Sequence, residues 1–102
     1  MTSNATAILV EARELLVKGG WCQHAAFSGT GARCAIGAIL SVSPKLLALE
    51  GHNANIGFRA RDFLSKAVGN QVVGVWNDVQ GRTLEEVLAA FDKAIELSKE
   101  KS

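Results

Sequence analysis

The sequence contains few of the residues that would point to a specialised class of protein. Its 102 residues include one proline, two cysteines and no tyrosine, and 11 Lys and Arg face 10 Asp and Glu. Two cysteines are too few for a disulfide framework, so both are predicted to be free thiols in a reducing compartment. A net charge of +1 gives no general attraction to nucleic acid or anionic lipid. We therefore expect neither a nucleic-acid nor a membrane partner.

Long apolar runs are also missing. The longest uninterrupted run covers residues 34–40, whereas a helix needs about 20 apolar residues to cross a bilayer. The first residues lack the positive charge that is typical of a secretory leader. We therefore expect a cytoplasmic protein. With 48% hydrophobic residues, the chain over 1–102 is predicted to form a single domain with its own core.

The spacing of apolar residues predicts a mainly α, compact fold of four to five helices. A first helix over about Asn4 to Lys18 has one apolar face and is ended by Gly19-Gly20. The segment Arg33 to Val42 is predominantly apolar, which predicts a buried helix. Ser43-Pro44 supplies an N-cap serine and a proline at the first helical position, which predicts the start of a further helix.

Two more helices are predicted in the second half of the chain. Asn53 or Asn55 can cap a helix that Gly69-Asn70 would end. Thr83 and Glu86 have the spacing of a capping box, in which the hydroxyl and the carboxylate each accept a hydrogen bond from the other residue's backbone N–H. The last helix is predicted to start directly after Thr83.

Two segments combine a tryptophan with hydrogen-bonding side chains, and together they form the candidate site. A β-favouring run over 71–76 is predicted to pair with 21–27 in a short two-stranded ribbon, which would bring the segments together. The candidate ligand-binding residues are Trp21, Gln23, Trp76, Asn77, Asp78 and Arg82. In a purely structural interpretation, Trp76 is a core ring, Asn77 and Asp78 form a turn, and Asp78 pairs with Arg82.

Three other kinds of chemistry, namely thiol catalysis, metal binding and anion binding, have candidate residues in the sequence. Cys22 and His24 could act as a thiol nucleophile and its base, with Asp78 orienting the imidazole. Zinc ligands usually come in pairs with wider spacing than Cys22 and His24 offer, even with Cys34 and His52 added, so no metal and no cofactor are predicted. Residues 29–33 precede a helix and could hold an anion through backbone N–H groups and the Arg33 guanidinium.

Three motifs resemble those of a family of small uncharacterised proteins from bacterial and phage genomes. The motifs are W-C-Q at 21–23, C-A-x-G-A at 34–38 and W-N-D-x-x-G-R-T-x-E-E-V at 76–87. The resemblance covers nearly the whole chain and implies a single domain. It supports the choice of candidate site, but it implies no activity because the function of that family is unassigned.

We expect a small non-catalytic binding or interaction protein, for example an accessory factor carried by a mobile element. This expectation rests on the absence of a complete set of catalytic residues from the sequence. The alternative is a small hydrolase-type enzyme that uses Cys22, His24 and Asp78. The expected partner is a small ligand or another protein, and homo-oligomer formation stays open.

Overall fold

Five helices account for most of the chain that the structure describes. The structure is a computed structural model and describes the backbone over 4–50 and 56–101 and the side chains over 5–42 and 59–100. The helices are α1 (Asn4–Gly19), α2 (Ala35–Glu50), α3 (Ile56–Ala67), α4 (Val73–Asn77) and α5 (Leu84–Lys101). The prediction of a mainly α fold is confirmed. No helix within the described ranges is long and apolar enough to span a membrane.

Helix α1 follows its predicted bounds and buries the predicted face. Ile8, Ala12 and Leu16 recur at every fourth position and are completely shielded from solvent. Gly20 ends the helix with a φ of 95°, a left-handed backbone that glycine adopts without steric cost. Its N–H donates to the carbonyl of Leu16 at 3.1 Å and so satisfies one of the last carbonyls of the helix.

The hydrophobic core lies between α1, α2, α3 and α5. Phe91 of α5 is at the centre with an exposed fraction of 0%, and Val87 and Leu64 are as deeply buried. Leu88 and Ile95 are partly buried and pack against this cluster. The apolar face predicted for the last helix is therefore the face that packs inward.

The structure corrects one predicted helix boundary. Helix α2 runs through Ser43-Pro44 without interruption, so the predicted start of a new helix there is wrong. A proline lacks an N–H and disfavours a helical residue before it, but the apolar sequence on both sides favours one continuous helix. The predicted caps Asn53 and Asn55 lie outside the described residues.

The predicted two-stranded ribbon is also wrong. Residues 73–77 form the short helix α4 instead of a strand, and Trp76 N–H donates to the carbonyl of Val72 at 2.9 Å. Val73, Trp76 and Asn77 are buried, which is the spacing of one helical face. Burial of this face against α2 and α3 outweighs the β propensity of the valines. Trp21 and Phe27 each pair with Arg33 rather than with residues 71–76.

The capping box at the start of α5 is present and gives a first test of the fold. Thr83 N–H donates to Glu86 Oε1 at 2.9 Å, and Glu86 N–H donates to Thr83 Oγ1 at 3.2 Å. We expect Thr83→Ala to lower the free energy of unfolding by about 0.5–2 kcal/mol, because an orphan N–H of the first turn loses its acceptor. Urea unfolding measures this loss. A Thr83→Ser variant keeps the hydroxyl and should retain most of the stability.

Candidate functional site

The segment over 20–34, here named the Trp21 loop, folds back on itself through backbone hydrogen bonds. Residues 33–34, at the end of the loop, lie between residues 20–22 and Ala26. On one side Arg33 N–H donates to the Gly20 carbonyl at 3.1 Å, and Cys22 N–H donates to the Arg33 carbonyl at 3.0 Å. On the other side Cys34 N–H donates to the Ala26 carbonyl at 3.1 Å. The Trp21 loop is therefore an ordered structure that ends at the start of α2.

The Trp21 loop contacts α2 where that helix has no side chain. A Cβ atom built on Gly37 would lie 2.1 Å from the carbonyl oxygen of Ala26, far inside van der Waals contact. We expect Gly37→Ala to lower the free energy of unfolding by about 1–3 kcal/mol, because the loop must move away. Gly74 of α4 has open space at the same position. Gly74→Ala is the matched control and should stabilise the fold by roughly 0.5–1 kcal/mol in the same urea titration.

Asn77 is the centre of the candidate site, and its side chain is completely buried. Its Oδ1 accepts hydrogen bonds from Trp21 Nε1 at 2.7 Å and from the Ala35 N–H at 3.0 Å. Its Nδ2 donates to the Cys22 carbonyl at 3.2 Å and to Asp78 Oδ1 at 3.0 Å. These four bonds use both donors and both acceptor positions of the amide. The Asn77 side chain therefore has no hydrogen-bonding capacity left for a ligand.

The other polar residues of the candidate site also bond within the chain. Gln23 Nε2 donates to the backbone carbonyls of Asn77 at 3.1 Å and Val79 at 2.9 Å. The backbone N–H of His24 donates to Asp78 Oδ1 at 2.8 Å. His24 has a φ of 68°, an uncommon conformation for a residue with a side chain, and this bond helps to hold it. The two predicted segments therefore meet, and they hold the Trp21 loop against α4.

Asp78 is an ionised anchor for the loop. The hydrogen bond from the His24 backbone N–H, followed by that from the Asn77 side chain, lowers the pKa of Asp78 below its ordinary value. The His24 imidazole adds a smaller contribution, with its Nδ1 3.9 Å from Asp78 Oδ2. Both hydrogen-bond donors favour the charged carboxylate over the neutral acid.

The lowered pKa of Asp78 predicts a pH-dependent stability. A carboxylate with a depressed pKa stabilises the fold above its unfolded pKa, and this contribution is lost as the pH falls through the folded pKa. The advantage of wild type over Asp78→Asn should therefore shrink as the pH falls below about 4. Urea titrations of both proteins at several pH values measure this difference in the free energy of unfolding. As a control, the wild-type and Asp78→Asn proteins are also compared in a His24→Asn background, which removes the contribution of the imidazole. Asparagine is chosen because it tolerates the positive φ of position 24. A constant difference from neutral to acid pH would contradict the assignment.

The predicted ion pair between Asp78 and Arg82 is wrong. Arg82 Nε donates to the Trp76 carbonyl at 3.0 Å, and its guanidinium lies 4.2 Å from the centre of the Trp76 ring. Its Nη1 pairs with Glu86 Oε2 at 3.2 Å, four residues further along the chain and in the first turn of α5. Asp78 is instead occupied by its bonds to His24 and Asn77. Arg82 therefore covers Trp76 and joins the capping box.

Cys22 has the environment of a protonated thiol. Burial, then the nearby Cys34, then the negative charge of Asp78 raise the pKa of Cys22 above its ordinary value. The Cys22 thiol donates to the Ala25 carbonyl at 3.3 Å, and Cys34 Sγ accepts from the Gly37 N–H at 3.3 Å. Both cysteines are free. Among the described residues, no group of three or more His, Cys, Asp or Glu side chains could hold a metal ion.

The guanidinium suggested for an anion site is also engaged within the chain. Arg33 Nε donates to Ser41 Oγ at 2.9 Å, and Nη1 donates to the Gly31 carbonyl at 3.2 Å. The backbone N–H of Arg33 donates to the Gly20 carbonyl, and the Arg33 carbonyl accepts from the Cys22 N–H. Arg33 therefore fastens the end of the Trp21 loop to α2.

An exposed apolar surface beside this network was missed by the sequence reasoning. Val72, Val75 and Val79 have exposed fractions of 71%, 66% and 44%. Val75 lies on α4 between the buried Val73 and Trp76, and Val72 and Val79 lie directly before and two residues after the helix. We name these three residues the valine face. The three valines are visible in the sequence, but Val72 and Val75 belong to the run over 71–76 that favours a strand, and Val79 lies beyond it.

Comparison with known proteins gives a family but no activity. The family described as Family of unknown function (DUF6197) matches residues 1–97, and the chain belongs to it. No curated protein and no solved structure matches the chain.

Proposed function

We propose that this member of DUF6197 is a cytosolic, non-catalytic interaction protein that binds a protein partner through its valine face. The observation that carries the proposal is the exposure of three valines within eight residues, one in α4 and one on either side of it. Clustered exposed apolar residues on a soluble domain are typical of interaction sites. The free thiols Cys22 and Cys34 support the cytosolic part of the proposal.

The polar network beside the valine face supports a binding role over catalysis. The amide of Asn77 has all its hydrogen bonds inside the protein, and Gln23 and Arg82 also bond to the backbone of residues 76–79. These bonds fix the conformation of α4 and of the turn that follows it. A surface that is rigid before binding loses less conformational entropy on binding.

The charge around the valine face favours a protein as its partner. Residues 71–80 contain one charged residue, Asp78, and the cleft beside Val72 is also lined by Arg61 and Asp62, whose charges are opposite. Nucleic acids and anionic lipids both need positive charge on the surface that binds them. Val72, Val75 and Val79 offer apolar area, and Gln71 and Gln80 are exposed polar residues next to them in sequence. An apolar surface of another protein, with hydrogen-bonding groups at its rim, fits this pattern.

Photo-crosslinking from the valine face tests the proposal. Protein with a photo-activatable amino acid in place of Val75 is expressed in its own host and irradiated. Val17 on α1 is the matched control position, since it is also an exposed valine, with an exposed fraction of 52%. We expect a discrete crosslinked protein from position 75 and none from position 17, and Val72→Asp should abolish the product.

Two outcomes would contradict the proposal. Identical crosslinking from positions 75 and 17, or from neither, would remove the valine face as a specific binding site. A product with twice the mass of the chain would show that a second copy, rather than another protein, covers the valine face.

The competing proposal is a hydrolase-type enzyme with Cys22, His24 and Asp78 in catalytic roles. The approach of His24 Nδ1 to Asp78 Oδ2 at 3.9 Å favours it, because a carboxylate commonly orients a catalytic imidazole. The raised pKa of Cys22 opposes it, because the thiolate is the reactive form.

Iodoacetamide separates the two proposals. We expect Cys22 to be alkylated at neutral pH more slowly than a cysteine in an unstructured peptide, because its thiol is mainly protonated and half-buried. Peptide mapping assigns the reaction to Cys22 rather than Cys34. Alkylation faster than that of the peptide would favour the enzyme.

A further inference from the structure

We infer that Cys22 and Cys34 are an intramolecular disulfide-forming pair, a modification site that does not depend on the valine face. Trp21 and Arg33 form a parallel bridge, fixed by the bonds from Arg33 N–H to Gly20 and from Cys22 N–H to Arg33. Cys22 and Cys34 are the next residues of the two paired segments. Residues at the same register position of adjacent segments point to the same face.

The spacing of paired segments fits a disulfide. Adjacent strands lie about 4.7–4.9 Å apart, and disulfides join residues whose Cα atoms are about 4.4–6.8 Å apart. The effect of Cys34 on the titration of Cys22 agrees with two neighbouring thiols. The Trp21 loop brings them together although they are separated by the turn over 29–31.

The two cysteines differ in access, which sets the order of the reaction. Cys22 is half-buried, whereas Cys34 is buried with an exposed fraction of 7%. With a small-molecule disulfide such as oxidised glutathione as oxidant, the Cys22 thiolate attacks one sulfur, and one glutathione thiolate leaves. The Cys34 thiolate then attacks the Cys22 sulfur of the mixed disulfide, and the second glutathione thiolate leaves. The two protein thiols lose two protons and two electrons, and the oxidant is reduced to two thiols.

The modification would fasten the Trp21 loop by a covalent bond at the point where α2 begins. Cys34 directly precedes α2, and the Cys22 carbonyl accepts a hydrogen bond from Asn77. In a reducing cytosol the pair stays as free thiols, and the disulfide forms when the thiol–disulfide balance becomes oxidising. Closing the loop over 22–34 restricts the unfolded chain, so the oxidised protein should melt about 5 °C or more above the reduced protein.

Oxidation of the folded protein by glutathione tests the pair. After incubation with oxidised glutathione at mildly alkaline pH, we expect a monomer lighter by two hydrogen atoms and without a glutathione adduct. Peptide mapping should give one crosslinked peptide that joins Cys22 to Cys34. The rate should rise with pH, because the first step needs the Cys22 thiolate.

Two single variants make the result decisive. Cys34→Ser keeps the accessible thiol and should accumulate the mixed disulfide with glutathione at Cys22. Cys22→Ser keeps only the buried thiol and should stay unmodified while folded. A stable glutathione adduct on wild type, a disulfide-linked dimer, or two thiols that persist in wild type while Cys34→Ser is modified would each overturn the inference. Circular dichroism confirms that every protein compared is folded.

Discussion

Asn77→Ala is expected to lower the free energy of unfolding by roughly 3–5 kcal/mol, because it leaves one buried and two part-buried partners without hydrogen bonds. The indole N–H of Trp21 and the backbone N–H of Ala35 lose their shared acceptor, and the Cys22 carbonyl loses a donor. An unsatisfied buried polar group costs about 1–3 kcal/mol, more than the net value of the bond itself. Urea unfolding monitored by circular dichroism measures the loss.

Gln80→Ala is the matched control for Asn77→Ala. Gln80 is an exposed amide three residues further along the chain, and its removal should change the stability by less than about 0.5 kcal/mol. A double-mutant cycle with Trp21→Phe adds specificity, since the two substitutions share one hydrogen bond and should not be additive. A loss below about 1 kcal/mol for Asn77→Ala would contradict the structural role of this amide.

Phe91→Ala is expected to cost about 3–5 kcal/mol through the cavity that it leaves in the core. Phe91 is fully buried on the inner face of α5, where it belongs to the cluster shared by α1, α2 and α3. The midpoint of urea unfolding reports the change.

Phe27→Ala provides the control with the same chemistry at the surface. Phe27 lies in the Trp21 loop with an exposed fraction of 54%, so its removal creates no closed cavity. We expect Phe27→Ala to lower the free energy of unfolding by less than about 1 kcal/mol. Equal losses at the two positions would show that the inward face of α5 is wrongly assigned.

The sequence predicts the long helices well because local signals and burial agree for them. Gly19-Gly20 marks the end of α1 within one residue, and the capping box of Thr83 and Glu86 marks the start of α5. In both helices the apolar residues also recur at helical spacing. Such agreement between caps and periodicity is what makes a helix predictable from local sequence.

Helix α4 shows why the rest of the fold could not be predicted in the same way. Its valines favour a strand, and a helix of five residues is too short to show its period against that preference. The deciding contacts come from other parts of the chain. Trp76 and Val73 pack into the common core, and Asn77 bonds to residues more than forty positions away. Nothing in the local sequence records those contacts.

The sequence also located the polar cluster but could not assign roles within it. The same groups of Asn77 and Asp78 could face a ligand or the Trp21 loop, and composition does not distinguish these arrangements. The hydrogen-bond distances show that these groups face the Trp21 loop, because Trp21, Gln23 and His24 are their partners. Residues chosen as candidate ligand contacts thus bond the protein to itself, while the exposed valines beside them carry the proposed binding surface.

Hydrogen exchange of the Trp21 indole N–H tests most directly whether Asn77 holds the Trp21 loop against α4. The two indole signals are assigned by their loss in Trp21→Phe, and the exchange rate of the Trp21 signal is converted to an opening free energy. The bond of 2.7 Å to Asn77 Oδ1 predicts that this proton exchanges only when the Trp21 loop separates from α4, and therefore much more slowly than that of a free indole. Exchange of the Trp21 proton at the rate of a free indole, while the core amides stay protected, would contradict this role of Asn77.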